Sequence, residues 1–150
     1  MNAFQTEFPG ILAALLVGFV GSASVIVSLF RSKGRDRTLL FFGIFTLLYG
    51  TRWLSEAETM RALLGAPFDL PYFHAVMTYL VPVPLGGFLY EVFGPGKWGA
   101  MRWVYWSMIA YVPVAVTIDI MTGATAADSN INPAVVIAWC VLGILNLIFV

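Results

Sequence analysis

Five stretches of this chain, residues 11–30, 39–54, 72–93, 103–121 and 133–150, are apolar over or near the length a helix needs to cross a bilayer. A transmembrane helix takes roughly 17 to 25 residues, whereas a barrel strand needs about ten, alternating apolar with polar. No such alternation runs through these stretches. Backbone groups in lipid must be satisfied within the segment, so the runs predict helices. Composition agrees, since charged residues are 11% of the 150, against roughly 25% in soluble domains. Mean hydropathy is +0.87. The expected fold class is all-α: a polytopic integral membrane helix bundle of about five transmembrane helices, forming a single domain over residues 1–150. The N-terminal "MNAFQTEFPG" lacks a basic region and contains Glu7, so the first run is expected to stay in the mature protein.

The loops predict a direction. Arg31, Lys33, Arg35 and Arg37 lie in one loop, and Lys97 and Arg102 in another on the same side, together six of the eight basic residues. Arg52 and Arg61 fall opposite, with Glu7, Glu56, Glu58, Asp69, Asp119 and Asp128. The positive-inside rule puts the N-terminus outside and the C-terminal end inside.

The second run ends on "TRWLSEAE". Trp53 reads as an interfacial anchor, and Arg52 as a residue that lifts its guanidinium to the headgroups. Ser55 and Glu58 fit a capping box, S-x-x-E, that opens a new turn. Met60, Leu63 and Leu64 then share a face, and Gly65 with Pro67 supplies a stop. The stretch is therefore expected to form a short amphipathic helix on the outer surface. An alternative continues the second span past Arg52 and pairs it with Glu56 one turn on. Trp98, Trp103 and Trp106 read as the opposite aromatic belt, and residues 123–132 as a polar outer loop.

Ala14, Gly18 and Ser22 recur every four residues, a stripe that lets another helix approach closely. In "VPVPLGG", Pro82 and Pro84 each remove a backbone donor, and Gly86 and Gly87 loosen the next turn, so a packed kink is expected there. His74 lies one turn into the third span. An imidazole can ligate a haem or chlorophyll, yet a lone histidine at an interface more often bonds water or lipid, so no cofactor is expected. Arg52, Glu56 and Arg61 form an outer polar cluster that, with His74, can meet a headgroup or small anion.

The remaining signals exclude. One histidine and one cysteine, Cys140, leave no metal cage and no internal disulfide. The net charge is zero, which argues against nucleic acid. The middle of each run lacks ionisable residues, so no proton relay or ion path is expected. With no phosphate loop, nucleophile elbow or paired carboxylates, an enzyme is not expected.

"RDRTLLFFGIFTLLYGTRWLSEAETMRALLG" followed by "TYLVPVPLGGFLYEVFGPG" resembles the membrane region at the N-terminus of some bacterial signalling proteins. Those multi-span sensor modules precede serine phosphatase, histidine kinase or diguanylate cyclase domains. The resemblance covers roughly residues 35–105, in a "LLYG-R-L" helix, a short outer segment and a "YL-P-P" helix before an "FG-G" turn. It implies a module in the bacterial inner membrane whose last helix feeds a cytoplasmic output domain. The sequence stops at Val150 inside an apolar run, which allows it to be the N-terminal part of a longer chain. The other expectation is a non-catalytic accessory subunit of a photosynthetic or respiratory complex. Either way, its partners are membrane lipids and other membrane protein subunits.

Overall fold

Seven helices account for the regular structure of residues 3–31, 37–64, 71–96, 99–123 and 131–148, which the computed structural model describes. They are α1 (Ala3–Phe30), α2 (Arg37–Glu56), α3 (Glu58–Leu64), α4 (Pro71–Leu80), α5 (Pro82–Phe93), α6 (Ala100–Thr122) and α7 (Ile131–Ile148). Three helical segments are long and apolar enough to span a membrane: Thr6–Phe30, Tyr72–Phe93 (α4 with α5) and Ala100–Thr122. Among the described residues, three of the five expected spans meet this measure. Helix α2 has 20 residues but carries Arg37, Arg52 and Glu56, and the described part of α7 open to this measure is Asn132–Leu145.

Helices α1 and α2 form the most extensive contact in the molecule. Its cause is the absence of side chains. A Cβ added at Gly21 would lie 2.6 Å from Thr46 Oγ1 and 2.8 Å from the Leu47 nitrogen. At Gly43 it would lie 2.9 Å from the Gly21 carbonyl oxygen, and at Gly50 the same distance from that of Ala14. The two backbones thus touch, antiparallel, along a seam where dispersion contacts are dense. Ala14 is fully buried in that seam, and Gly18 meets Gly50 through its backbone. Ser22 turns its hydroxyl back to the Gly18 carbonyl, at 3.0 Å.

The third apolar run divides at Val81, between α4 and α5. Pro82 opens α5, where a missing N–H costs least, and Val81 still donates to the Met77 carbonyl at 3.0 Å. Pro84, Gly86 and Gly87 are all buried. The glycines are notches: the Met108 sulfur of α6 occupies the space over Gly86, and a Cβ on Gly87 would lie 2.6 Å from the Phe41 ring of α2. So the "GG" pair brings three helices together. Helix α6 continues through Pro113 and ends at Gly123, whose φ of 67° is left-handed and whose N–H bonds the Asp119 carbonyl.

The Trp53 end of the bundle departs from the sequence expectations. Ser55 does not cap a new helix; it lies inside α2, buried, with its hydroxyl on the Arg52 carbonyl at 2.6 Å. The cap of α3 comes from α1 instead. Glu7 accepts from the Glu58 and Thr59 amides at 3.2 and 3.0 Å, and from the Thr59 hydroxyl at 2.6 Å. A carboxylate suits this place because the first turn of a helix leaves its N–H groups unbonded and carries partial positive charge. The structure takes one part from each reading: α2 runs on past Arg52 to Glu56, with which Arg52 pairs, and a separate short helix, α3, comes after Ala57. Asn132, expected in a loop, belongs to α7 and is buried. The Arg61 side chain, the stop at Gly65 and Pro67, loop residues 124–130, Lys33, Arg35, Lys97 and Trp98 lie outside the described residues.

Candidate functional site

One group of polar side chains gathers at the Trp53 end, between α2 and α4. Helical spacing puts Arg52, Ser55 and Glu56 on one face of α2, opposite His74 and Thr78, one turn apart on α4. The Arg52 guanidinium, expected to lift to the headgroups, lies between α2 and α4. Its Nε donates to Thr78 Oγ1 at 2.9 Å, and Nη2 lies 3.1 Å from Glu56 Oε1. The Thr78 hydroxyl gives its own proton to the His74 carbonyl at 2.9 Å, which leaves its oxygen free to accept. Among the described residues Nη1 makes no hydrogen bond.

Water or lipid is the expected partner of His74; within the chain its two ring nitrogens approach α2. Nδ1 makes a long contact of 3.4 Å with Ser55 Oγ, and Nε2 lies 3.8 Å from Glu56 Oε1. Ser55 spends its proton on Arg52, so this contact requires the Nδ1–H tautomer. Of the polar cluster read from sequence, Arg52 and Glu56 are joined, and His74 and Thr78 belong with them.

A second polar group is buried deeper. Tyr79 of α4 donates to Asp119 Oδ2 of α6 at 2.8 Å, and the two residues are 1% and 2% exposed. By sequence Asp119 counts among the loop acids and no buried acid is expected; it is a buried acid inside α6. A carboxylate in an apolar setting is expensive unless hydrogen-bonded, and the phenol supplies one such bond. Its signal is present in the sequence: Asp119 interrupts "AVTIDIMT", three residues before that helix ends.

From there an aromatic ladder leads to α7. Tyr111 stands edge-on to Tyr79, centroids 5.9 Å apart, and edge-on to Trp139 at 5.3 Å. Trp139 Nε1 donates to Ser107 Oγ at 3.0 Å, and the Tyr111 hydroxyl donates to Asn132 Oδ1 at 3.3 Å. These side-chain contacts, more than backbone approach, attach α7 to the bundle.

Elsewhere α7 stands away from α2 and α5, and a cavity of about 520 Å³ separates them. Arg52 and Thr78 line one end, Phe93 and Met101 the other. One wall is the α7 stripe Val136, Trp139, Cys140, Gly143 and Ile144, the i, i+3, i+4, i+7, i+8 face of a helix. Tyr49, stacked on Phe45 with centroids 5.9 Å apart, lies one turn from Arg52 on the α2 wall. Among the described residues Arg52 is the one charged residue in the lining. Among the described residues no three His, Cys, Asp or Glu side chains come together as a metal-binding group. Compared with known proteins, the chain matches no family model, no curated protein and no solved structure.

Proposed function

We propose that this chain is a non-catalytic membrane-embedded module that acts through helix–helix and protein–protein contacts, as a sensory membrane region of the bacterial signalling type its sequence resembles. One observation carries the reading. The molecule joins a hairpin with no slack, α1–α2, to a last helix, α7, held by side chains across an apolar groove. A sensor needs a fixed frame and an element with more than one arrangement, and α7 leads towards the C-terminal end, where an output domain would attach. In this reading all five apolar runs cross the bacterial inner membrane, with the N-terminus outside and the C-terminal end inside. The antiparallel course of α1–α2, α5–α6 and α6–α7 supports that alternation.

Distances between paired spin labels test the reading. One pair joins native Cys140 on α7 to a cysteine at Val92 on α5. The other joins cysteines at Leu16 and Trp53 on α1 and α2, with Cys140→Ala. The first pair is expected to give a broad or two-peaked distribution in a bilayer, the second a single narrow one. Equally narrow distributions would remove the movable helix and leave a static subunit. Direction is tested separately by an impermeant thiol reagent applied outside, in the Cys140→Ala background. A cysteine at Ser129 should react and one at Ser32 should not; the reverse would invert the topology. Fixed-stoichiometry co-purification with cofactor-carrying subunits would favour the accessory-subunit role over the sensory one.

A further inference from the structure

The groove between α2, α5 and α7 has a chemistry more specific than a gap for bulk lipid. We infer that it binds one isoprenoid quinone, ring at the Arg52 end and tail along α5; the inference rests on the membrane-embedded reading above.

Length comes first. The lining runs on α4 and α5 from Thr78 to Phe93, 15 residues apart, which at 1.5 Å per residue is about 22 Å. One leaflet of a hydrocarbon core is about 15 Å deep, half of roughly 30 Å. An acyl chain of a phospholipid ends near the midplane, so it would fill only part of this groove. A tail that continues past the midplane fills it all, and polyisoprenoid chains have that reach.

Charge selects the head. Arg52 is already paired with Glu56 at 3.1 Å, so among the described residues its charge is already offset. A phosphate or carboxylate there would compete with the Glu56 carboxylate for the Arg52 guanidinium, the described lining offers no second cation, and its desolvation would be poorly offset. A neutral head that accepts hydrogen bonds has no such cost. Nη1 of Arg52 carries two N–H donors in the fixed geometry of a guanidinium, suited to a quinone carbonyl. Shape agrees with charge. Tyr49, 39% exposed and stacked on Phe45, offers an aromatic face one turn away against which a flat ring can lie. Pockets for such ligands are largely apolar with a few placed polar groups, and 520 Å³ is within their usual range of about 300–1,000 Å³.

The test uses the full chain purified in detergent, stripped of lipid and reloaded. Long-tailed ubiquinone, added in excess and removed by washing, should be retained at about one per chain by solvent extraction. Gly143 offers a clean way to block the groove, because a Cβ there meets nothing within 4 Å. Gly143→Leu should keep the thermal midpoint and lower retention by at least about tenfold. Arg52→Lys, which keeps a cation for Glu56 but loses the fork of donors, should lower it several-fold. Undecaprenyl phosphate and oleate should not displace the quinone, and a tail-less benzoquinone should not be retained. Equal retention in wild type and Gly143→Leu would overturn the site. Displacement by the phosphate would overturn the neutral head, and retention of the tail-less ring would overturn the role of the tail. The spin-label distances keep the two readings apart: retention with an unmoved α7 sinks the sensory reading alone, and a mobile α7 without retention sinks the quinone alone.

Discussion

Two of the seams in this molecule, α1–α2 and α6–α7, are made differently. In the α1–α2 seam backbone meets backbone, because Gly21, Gly43 and Gly50 have removed everything between. In the α6–α7 seam side chains meet side chains: Trp139 reaches Ser107 and Tyr111, and Tyr111 reaches Asn132. The first has no free volume, so a single methyl is felt as overlap with main-chain atoms that cannot turn aside. The second is built from rotatable bonds beside an apolar groove, so the same insult can be absorbed by a rotamer change or by movement of α7. Rigidity here comes from how little lies between two helices, and not from how many bonds join them.

The contrast breaks first at its rigid side. Gly43→Leu drives a side chain into Val25 and the Gly21 carbonyl and should destabilise the hairpin by about 3 kcal/mol or more. Loss of close approach between donor and acceptor dyes on α1 and α2 reads this out; an unchanged distance would mean the seam has slack. Next in size, Tyr79→Phe removes a hydroxyl from the buried Asp119 and should cost roughly 2 kcal/mol in detergent unfolding. A neutral result would mean that other partners carry the carboxylate.

A smaller effect tests the bridge from α1 to α3. Glu7→Ala should cost about 1 kcal/mol, the usual worth of a helix cap, with faster amide exchange at Glu58 and Thr59 than anywhere else. The smallest sharpens the seam. A Cβ at Gly18 meets nothing within 4 Å, so Gly18→Ala should stay within about 0.5 kcal/mol of wild type, although Gly18 lies one turn from Gly21. A large loss at Gly18 would mean that the seam is wider than the close contacts indicate.

Sequence carried the helices well because their cause is local: apolar run length is legible within a few residues, and "VPVPLGG", read as a kink, marks the place where the third run divides into α4 and α5. It carried the contacts poorly, because a stripe of small residues reports that something packs closely but not which turn is closest. Ala14, Gly18 and Ser22 satisfy the four-residue rule, yet the tightest approach on α1 is at Gly21, set by the phase of Gly43 and Gly50 on the other helix. Ser55 and Glu58 match a capping box in spacing, but the true cap is 51 residues earlier in the chain, a separation no local pattern encodes. Arg52 reads as an interfacial cation on its own helix. That it is held instead by Thr78 depends on how α2 and α4 are placed, and the groove depends on α7 as well. Asp119 is legible in principle, as an acid within an apolar helix, but its partner Tyr79 is not.

The reach of Glu7 to α3 also bears on the order in which the chain comes together during synthesis. Residues 58 and 59 are made well after residue 7, and two apolar runs lie between them. Seven residues are too few to hold a helix alone in water, since nucleation is costly and propagation over one or two turns does not repay it. Helix α3 therefore has no stable form until α1 and α2 have paired and delivered the carboxylate to its first turn. Its protection from proteases, measured over time on nascent chains, is a clock for completion of the hairpin.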